Sequence, residues 1–204
     1  MTGGLTLITL ITDRRRLGGR ELPALAREAE AAGVDRVQVR EKDLSGRGLR
    51  ALVSDIVAAT SGTSTRVLVN GRPDVAAAAG AHGVQLPEEG LPVTATRRAF
   101  PALEVGASRH TVEGARRAEG EGADFVLLGP IFRTPGKEAM TLGLGPLEEA
   151  ARSLRIPVHA VGGIDAESAR LAVQAGARGL AAIRPFLHGP AAEVVRALRG
   201  TGRP

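Results

Sequence analysis

Residues 21–42 read ELPALAREAEAAGVDRVQVREK, and this stretch holds one full cycle of the architecture. Over Glu21–Ala32, Leu22, Leu25, Ala26 and Ala29 fall on one helical face, with Glu21, Arg27 and Glu28 on the other. Gly33 ends that helix, because glycine adopts the left-handed turn that closes a C-terminus without strain. Val34–Val39 follows as a short apolar run, and Arg40-Glu41-Lys42 makes a polar turn. The same cycle repeats along the chain. Apolar runs stand at Leu5–Ile11, Val34–Val39, Arg66–Val69, Gly83–Leu86, Leu103–Ala107, Asp124–Leu128, Pro157–Val161 and Gly179–Ile183. Helical patterns over Leu49–Ala59, Thr94–Ala99, Thr111–Glu121, Pro146–Ser153, Asp165–Ala175 and Ala191–Leu198 fill the other crossovers. Eight strand-then-helix units predict an α/β fold, a single (β/α)8 TIM barrel over residues 1–204, with Gly200–Pro204 as a frayed tail. Such barrels carry their chemistry at the C-terminal ends of the strands, so those few residues are the ones to read.

Composition narrows the function class. The 204 residues contain no cysteine, which excludes disulfides and thiolate metal sites and fits a reducing, cytoplasmic setting. No apolar run approaches the ~20 residues that span a bilayer, and Leu5–Ile11 lacks the basic flank of a signal peptide, so no membrane partner is expected. The net charge of +5 raises nucleic acid as a partner. Against it stand four Phe with no Tyr or Trp, too few for stacking platforms, and basic residues scattered outside Arg14–Arg16. The arginine surplus reads as solvated helix faces and a mild field for anionic small molecules.

The second strand alternates. Val37 and Val39 share one face, and Gln38 and Arg40 the other. Outward faces meet helices and should be apolar, so Gln38 and Arg40 are expected to point inward, toward the mouth. An arginine there needs an anionic partner: either a barrel carboxylate or a ligand. The third strand ends Val69-Asn70-Gly71-Arg72, where Asn70 either orients a ligand or caps an Asn-Gly turn. Gln85 holds the corresponding place on the fourth.

The fifth strand ends Ser108-Arg109-His110, with Thr111 opening a helix. Of the four histidines, His82 precedes a strand, His159 lies mid-strand in place of an aliphatic residue, and His188 lies in a Gly-Pro turn. His110 alone has a catalytic address. The positive end of the following helix favours the neutral ring, which can act as a base; the alternative is a surface or capping histidine. After the sixth strand, residues 129–145 form the longest loop on this face, a lid candidate with Lys137 as a phosphate ligand or a solvated lysine. After the seventh and eighth strands come Gly162-Gly163 and Ile183-Arg184. Glycine amides and a helix N-terminus there suit a phosphate. No set of carboxylates gathers on this face, so no metal site is expected.

The strings Leu10-Ile11-Thr12-Asp13, Val37-Gln38-Val39-Arg40-Glu41-Lys42, Asp124–Phe132 and Pro157–Ile164 resemble the thiamine phosphate synthase/TenI superfamily over nearly the whole chain. The resemblance implies a phosphate-binding barrel of thiamine biosynthesis with two branches. In the synthase branch, an Asp after the Asn ending strand three and another after strand four hold Mg2+ for the substrate pyrophosphate. The matching residues here are Gly71 and Gly90, and the synthase's Thr-Pro-Thr-Lys is Thr134-Pro135-Gly136-Lys137. The TenI branch, whose enzymes are thiazole tautomerases, is similar at Val69-Asn70-Gly71-Arg72, Val84-Gln85-Leu86-Pro87 and Ser108-Arg109-His110. There the histidine matching His110 moves the proton. The family usually has Ser after the last strand, where this chain has Arg184-Pro185.

The resulting expectation is a thiazole tautomerase with His110 as the catalytic residue and no cofactor. Gln38, Arg40, Lys42, Asn70, Ser108, Thr134 and Lys137 bind the substrate, a phosphorylated thiazole. Gly162, Gly163, Ile183 and Arg184 hold its phosphate. The runner-up is a thiamine phosphate synthase with degenerate metal ligands, and a third reading is a non-catalytic regulatory or ligand-binding barrel. Family members are often homodimers.

Overall fold

The computed structural model describes residues 6–134 and 138–200. Eight parallel strands pair in sequence order and close on themselves: β1 (Leu7–Ile11), β2 (Arg36–Val39), β3 (Arg66–Asn70), β4 (Gly83–Leu86), β5 (Glu104–Arg109), β6 (Phe125–Leu128), β7 (Val158–Val161) and β8 (Gly179–Ala182). The closing register sets Leu7 opposite Gly179 and Leu10 opposite Ala182. The crossovers are α1 (Leu22–Ala31), α2 (Gly46–Ala59), α3 (Pro73–Ala78), α4 (Val93–Ala99), α5 (Val112–Gly120), α6 (Leu144–Ser153) and α7 (Ala166–Gln174). Two helices follow β8: the five-residue α8 (Arg184–His188) and α9 (Ala191–Arg199). The (β/α)8 barrel predicted from the repeating cycle is the observed fold.

Alternation along each strand divides the side chains. Val37, Val39, Val67, Val69, Val84, Leu86, Val105, Val126, Leu128 and Leu180 face the helices and are buried in one continuous core. Each such residue contributes about 1.5–3 kcal/mol by leaving water. The helices present matching stripes, such as Leu22, Leu25, Ala26 and Ala29 on α1. Side chains pointing inward form levels. The floor holds Arg36, Glu104, Phe125 and His159. Arg36 Nη2 donates to Glu104 Oε1 at 2.6 Å, and its guanidinium lies 4.7 Å from the Phe125 ring centroid. Phe125 stacks on His159 at 4.8 Å. Glycines make the room: a Cβ on Gly179 would come within 2.6 Å of the His159 ring, and one on Gly106 within 2.3 Å of Phe125. His159 is fully buried, and burial, reinforced by Arg36, pushes its pKa down to about 3, so the ring is neutral.

The boundaries differ from expectation by a few residues. Helix α6 begins at Leu144, because Gly143 at φ +77° supplies the turn that starts it before Pro146. Helix α8 ends on His188, which the sequence reading placed in a Gly-Pro turn. Pro185 sits in its first turn, where proline's missing N–H costs nothing. Asp165 caps α7, accepting from Ser168 N–H at 2.9 Å in a capping box. Gly200, expected to begin the tail, caps α9 through a bond to the Arg196 carbonyl, and residues 201–204 lie outside those described. Among the described residues, no helix is long and apolar enough to cross a membrane.

Candidate functional site

Above the floor, the inward level nearest the C-terminal strand ends is half polar and half apolar. Gln38, Asn70, Gln85 and Ser108 lie on the adjacent strands β2 to β5. Asn70 Nδ2 donates to Gln38 Oε1 at 3.1 Å, and Gln85 Nε2 donates to Ser108 Oγ at 2.9 Å. Asn70 and Gln85 are register partners, so the two pairs form one arc. Gln38 and Gln85 are buried. The other half is closed by Ile11, Leu127 and Ala181, with Val161 and Ile183 packed against them. A flat ring with polar substituents on one edge matches such a wall.

His110 stands at the rim between β5 and α5. Its Nδ1 lies in hydrogen-bond contact with the carbonyl oxygen of Gly129, at the end of β6. A carbonyl only accepts, so Nδ1 carries a proton in this contact, and the tautomer it selects has its lone pair on Nε2. The backbone N–H of His110 donates to Glu88 Oε2 at 2.9 Å, and Glu88 Oε1 lies 3.9 Å from Nε of the buried Arg109. Thr111 caps α5 through Gly114 N–H. His110 is thus held from three sides. Glu88 carries no signal of this positioning role in the sequence, because its partner is a backbone amide 22 residues away.

Thr134, Gly162, Gly163, Ile183 and Arg184 line one pocket of about 120 Å3 at the ends of β7 and β8. Gly162 and Gly163 sit at φ +93° and +66°, and a Cβ on either would fall within 2.7 Å of neighbouring atoms at 130–133. Thr134 Oγ1 donates to the Phe132 carbonyl at 3.2 Å. The expected group therefore assembles, joined by Arg16, which no spacing in the sequence connects to it. Lys137 lies outside the described residues.

Arg40 and Lys42 stand apart, on a rim pocket shared with Asp13, Arg15, Glu41 and Asp43. Arg40 is half-buried at the strand end, and its backbone N–H donates to Thr12 Oγ1 at 3.0 Å. Among the described residues no carboxylate pairs with it, so the salt-bridge alternative finds no partner. Glu41 is buried and accepts from the Thr12 hydroxyl at 2.5 Å and from Arg14 N–H at 3.2 Å. Burial pushes its carboxyl above the usual range, against the pull of those bonds.

The positions that the resemblance assigns to Mg2+ do not fit the ion. Gly71 and Gly90 carry no side chain, and a Cβ on Gly90 would fall 2.8 Å from Pro87. Glu88 is committed to His110 and Arg109, and Asp74 is gripped by Arg72 through two hydrogen bonds, at 2.8 and 2.6 Å. Among the described residues no three His, Cys, Asp or Glu side chains are grouped to hold a metal.

Comparison with known proteins agrees with the fold. Residues 8–186 match the family described as thiamine monophosphate synthase. A thiamine-phosphate synthase of Methanoculleus marisnigri is 39% identical over 194 residues, covering 93% of this chain and 92% of that protein. A thiamine-phosphate synthase of Roseiflexus castenholzii is 37% identical over 190 residues, covering 92% of this chain and 83% of that protein. The solved thiamine phosphate pyrophosphorylase of Pyrococcus furiosus is 32% identical, with a TM-score of 0.88 over 96% of this chain and 95% of that one. With the barrel closed in sequence order and matched from β1 to α8, the chain belongs to the thiamine phosphate synthase/TenI family.

Proposed function

We propose that this chain is a thiazole tautomerase, converting the exocyclic-alkene tautomer of carboxythiazole phosphate into its aromatic form. The observation that carries this reading is His110 at the strand end, held through Nδ1 by the Gly129 carbonyl, a contact that selects the tautomer with its lone pair on Nε2. In the reaction a proton leaves ring carbon 2, beside the carboxylate, and a proton is added at the exocyclic carbon. Formation of the aromatic ring drives the change, and the atoms balance without an oxidant. The work left to the protein is to hold the phosphate, orient the ring and supply one acid/base group, which typically gives ~10²–10⁴-fold. Gly162, Gly163, Ile183 and Arg184 are suited to the phosphate. The apolar half of the barrel wall suits the ring face, and Asn70 and Ser108 suit its polar edge. Arg40, Lys42 and Lys137 are proposed as further substrate contacts, and cytoplasmic location and a homodimer remain part of the same proposal.

The second reading, a thiamine phosphate synthase, is supported by the names of the relatives. Gly71 and Gly90 weigh against it, since nothing at those positions offers the carboxylates such chemistry uses to neutralise a leaving pyrophosphate. One experiment separates the two. Purified protein is given the carboxythiazole phosphate tautomer in one arm, and thiazole phosphate with the pyrimidine pyrophosphate and Mg2+ in the other. Aromatisation followed by absorbance in the first arm, without thiamine phosphate in the second, is the expected result. Thiamine phosphate formation that strictly requires Mg2+ overturns it in favour of the synthase.

A further inference from the structure

The loop after β1 carries three consecutive arginines in a single 3-10 turn, Arg14–Arg16. Their charges are handled differently. Arg14 makes ion pairs with Asp43 and, at 3.8 Å, with Glu41, and Arg15 pairs with Asp43 at 3.2 Å. The two carboxylates thus balance the first two arginines. The turn is fixed from beneath, because the buried Glu41 takes the Arg14 N–H on its carboxylate, and from within, because Arg16 N–H donates to the Asp13 carbonyl at 3.1 Å. Leu17, buried directly after it, anchors the exit.

Arg16 instead lines the pocket between the ends of β7 and β8. No acidic residue lines that pocket, and among the described residues neither Arg16 nor Arg184 has a carboxylate within ion-pair distance. The nearby Asp165 is occupied by capping α7. Arg16 and Arg184, from distant parts of the chain, therefore line one small pocket together with Gly162 and Gly163, and no acidic residue shares it. A phosphate monoester brings about −1.5 to −2 charges at pH 7, the complement of that pair. Guanidinium donors are also planar forks that match phosphate oxygens.

We infer that Arg16 is a phosphate-binding residue that sets the preference of this chain for a phosphorylated ligand, with Arg184 as its counterpart. The inference rests on the phosphate reading proposed above and extends it to a loop that reading does not include. Glu41 acquires a role in the same arrangement, since by clamping the first residue of the turn it fixes where the third one reaches.

The test is calorimetric titration of the intact protein with thiazole phosphate and with the same thiazole alcohol lacking phosphate. Arg16 is exposed, so Arg16→Gln should fold normally. The control is Arg98→Gln, which removes one charge from an exposed site in the last turn of α4. Arg16→Gln is expected to bind the phosphate ester at least roughly tenfold more weakly and the alcohol within about twofold of wild type. Arg98→Gln should match wild type for both. Arg16→Lys should recover part of the loss, since it restores charge without the fork. If wild type prefers the ester while Arg16→Gln and Arg98→Gln are indistinguishable, the Arg16 assignment falls and the phosphate reading stands. If wild type itself shows no preference for the ester, both fall.

Discussion

Glu88 and His110 come from different turns of the barrel, yet one oxygen of the Glu88 carboxylate accepts the His110 backbone N–H at 2.9 Å while the other lies 3.9 Å from Nε of Arg109. The carboxylate therefore fixes the chain on which the imidazole is mounted and leaves the imidazole itself untouched. Replacing Glu88 with Ala should lower kcat by about tenfold, because the ring loses its mounting, with a smaller effect on KM. Glu88→Gln, which keeps an acceptor for the amide, should recover most of the loss. Steady-state kinetics of both variants checks this; a loss of equal size in Ala and Gln would mean that charge, not the bond to the amide, is what matters.

His110→Asn retains a side chain that can hydrogen-bond but cannot accept a proton at neutral pH. With His110 as the base, kcat should fall about 10²-fold or more while substrate affinity changes little. Circular dichroism should report an unchanged barrel, since the ring sits on the rim. A near-normal kcat would assign the proton to another group.

Chelation should leave turnover unchanged. Gly71 and Gly90 offer no ligands, Glu88 and Asp74 are engaged by arginine, and Glu88 also takes an amide. Dialysis against EDTA followed by the aromatisation assay is the measurement, and recovery of lost activity by Mg2+ is the contrary result.

The floor histidine makes stability depend on acid. His159 is held at a pKa of about 3 by burial and by Arg36, against 6.5 when the chain is unfolded. Between those values the unfolded chain binds a proton that the folded chain does not, so stability is full above about pH 6.5 and falls as pH drops toward 3. The slope from this one group is about 1 kcal/mol per pH unit. Urea titrations across that window should show the loss, and His159→Leu should flatten it. An unchanged slope in His159→Leu would show that the ring is protonated in the folded protein.

The barrel was legible because its signals are local. Val37-Gln38-Val39-Arg40 alternates with period two, and Leu22, Leu25, Ala26 and Ala29 recur with helical spacing, so each element declares itself within a dozen residues. Gln38 was expected to face inward by that alternation and does. Helix α8 stayed hidden because five residues are too few to show a period. The contacts of Glu88 and Arg16 stayed hidden for another reason. Each depends on which loops meet at the rim, and no spacing along the chain encodes that meeting. The same holds for His159: its mid-strand place could be read, but not that Phe125 and Arg36 share its level.

The floor has a wider consequence. Arg36, Glu104, Phe125 and His159 are tied to one another and seated in hollows left by glycines on neighbouring strands, with no loop from the rim taking part. The lower half of the barrel is thus a foundation that keeps its shape whatever stands above it. Exchanges at Gly71, Gly90, Glu88 or Arg16 are made on the storey above, where they redirect chemistry without disturbing what keeps the chain folded. A family built this way can diverge in reaction while staying constant in architecture.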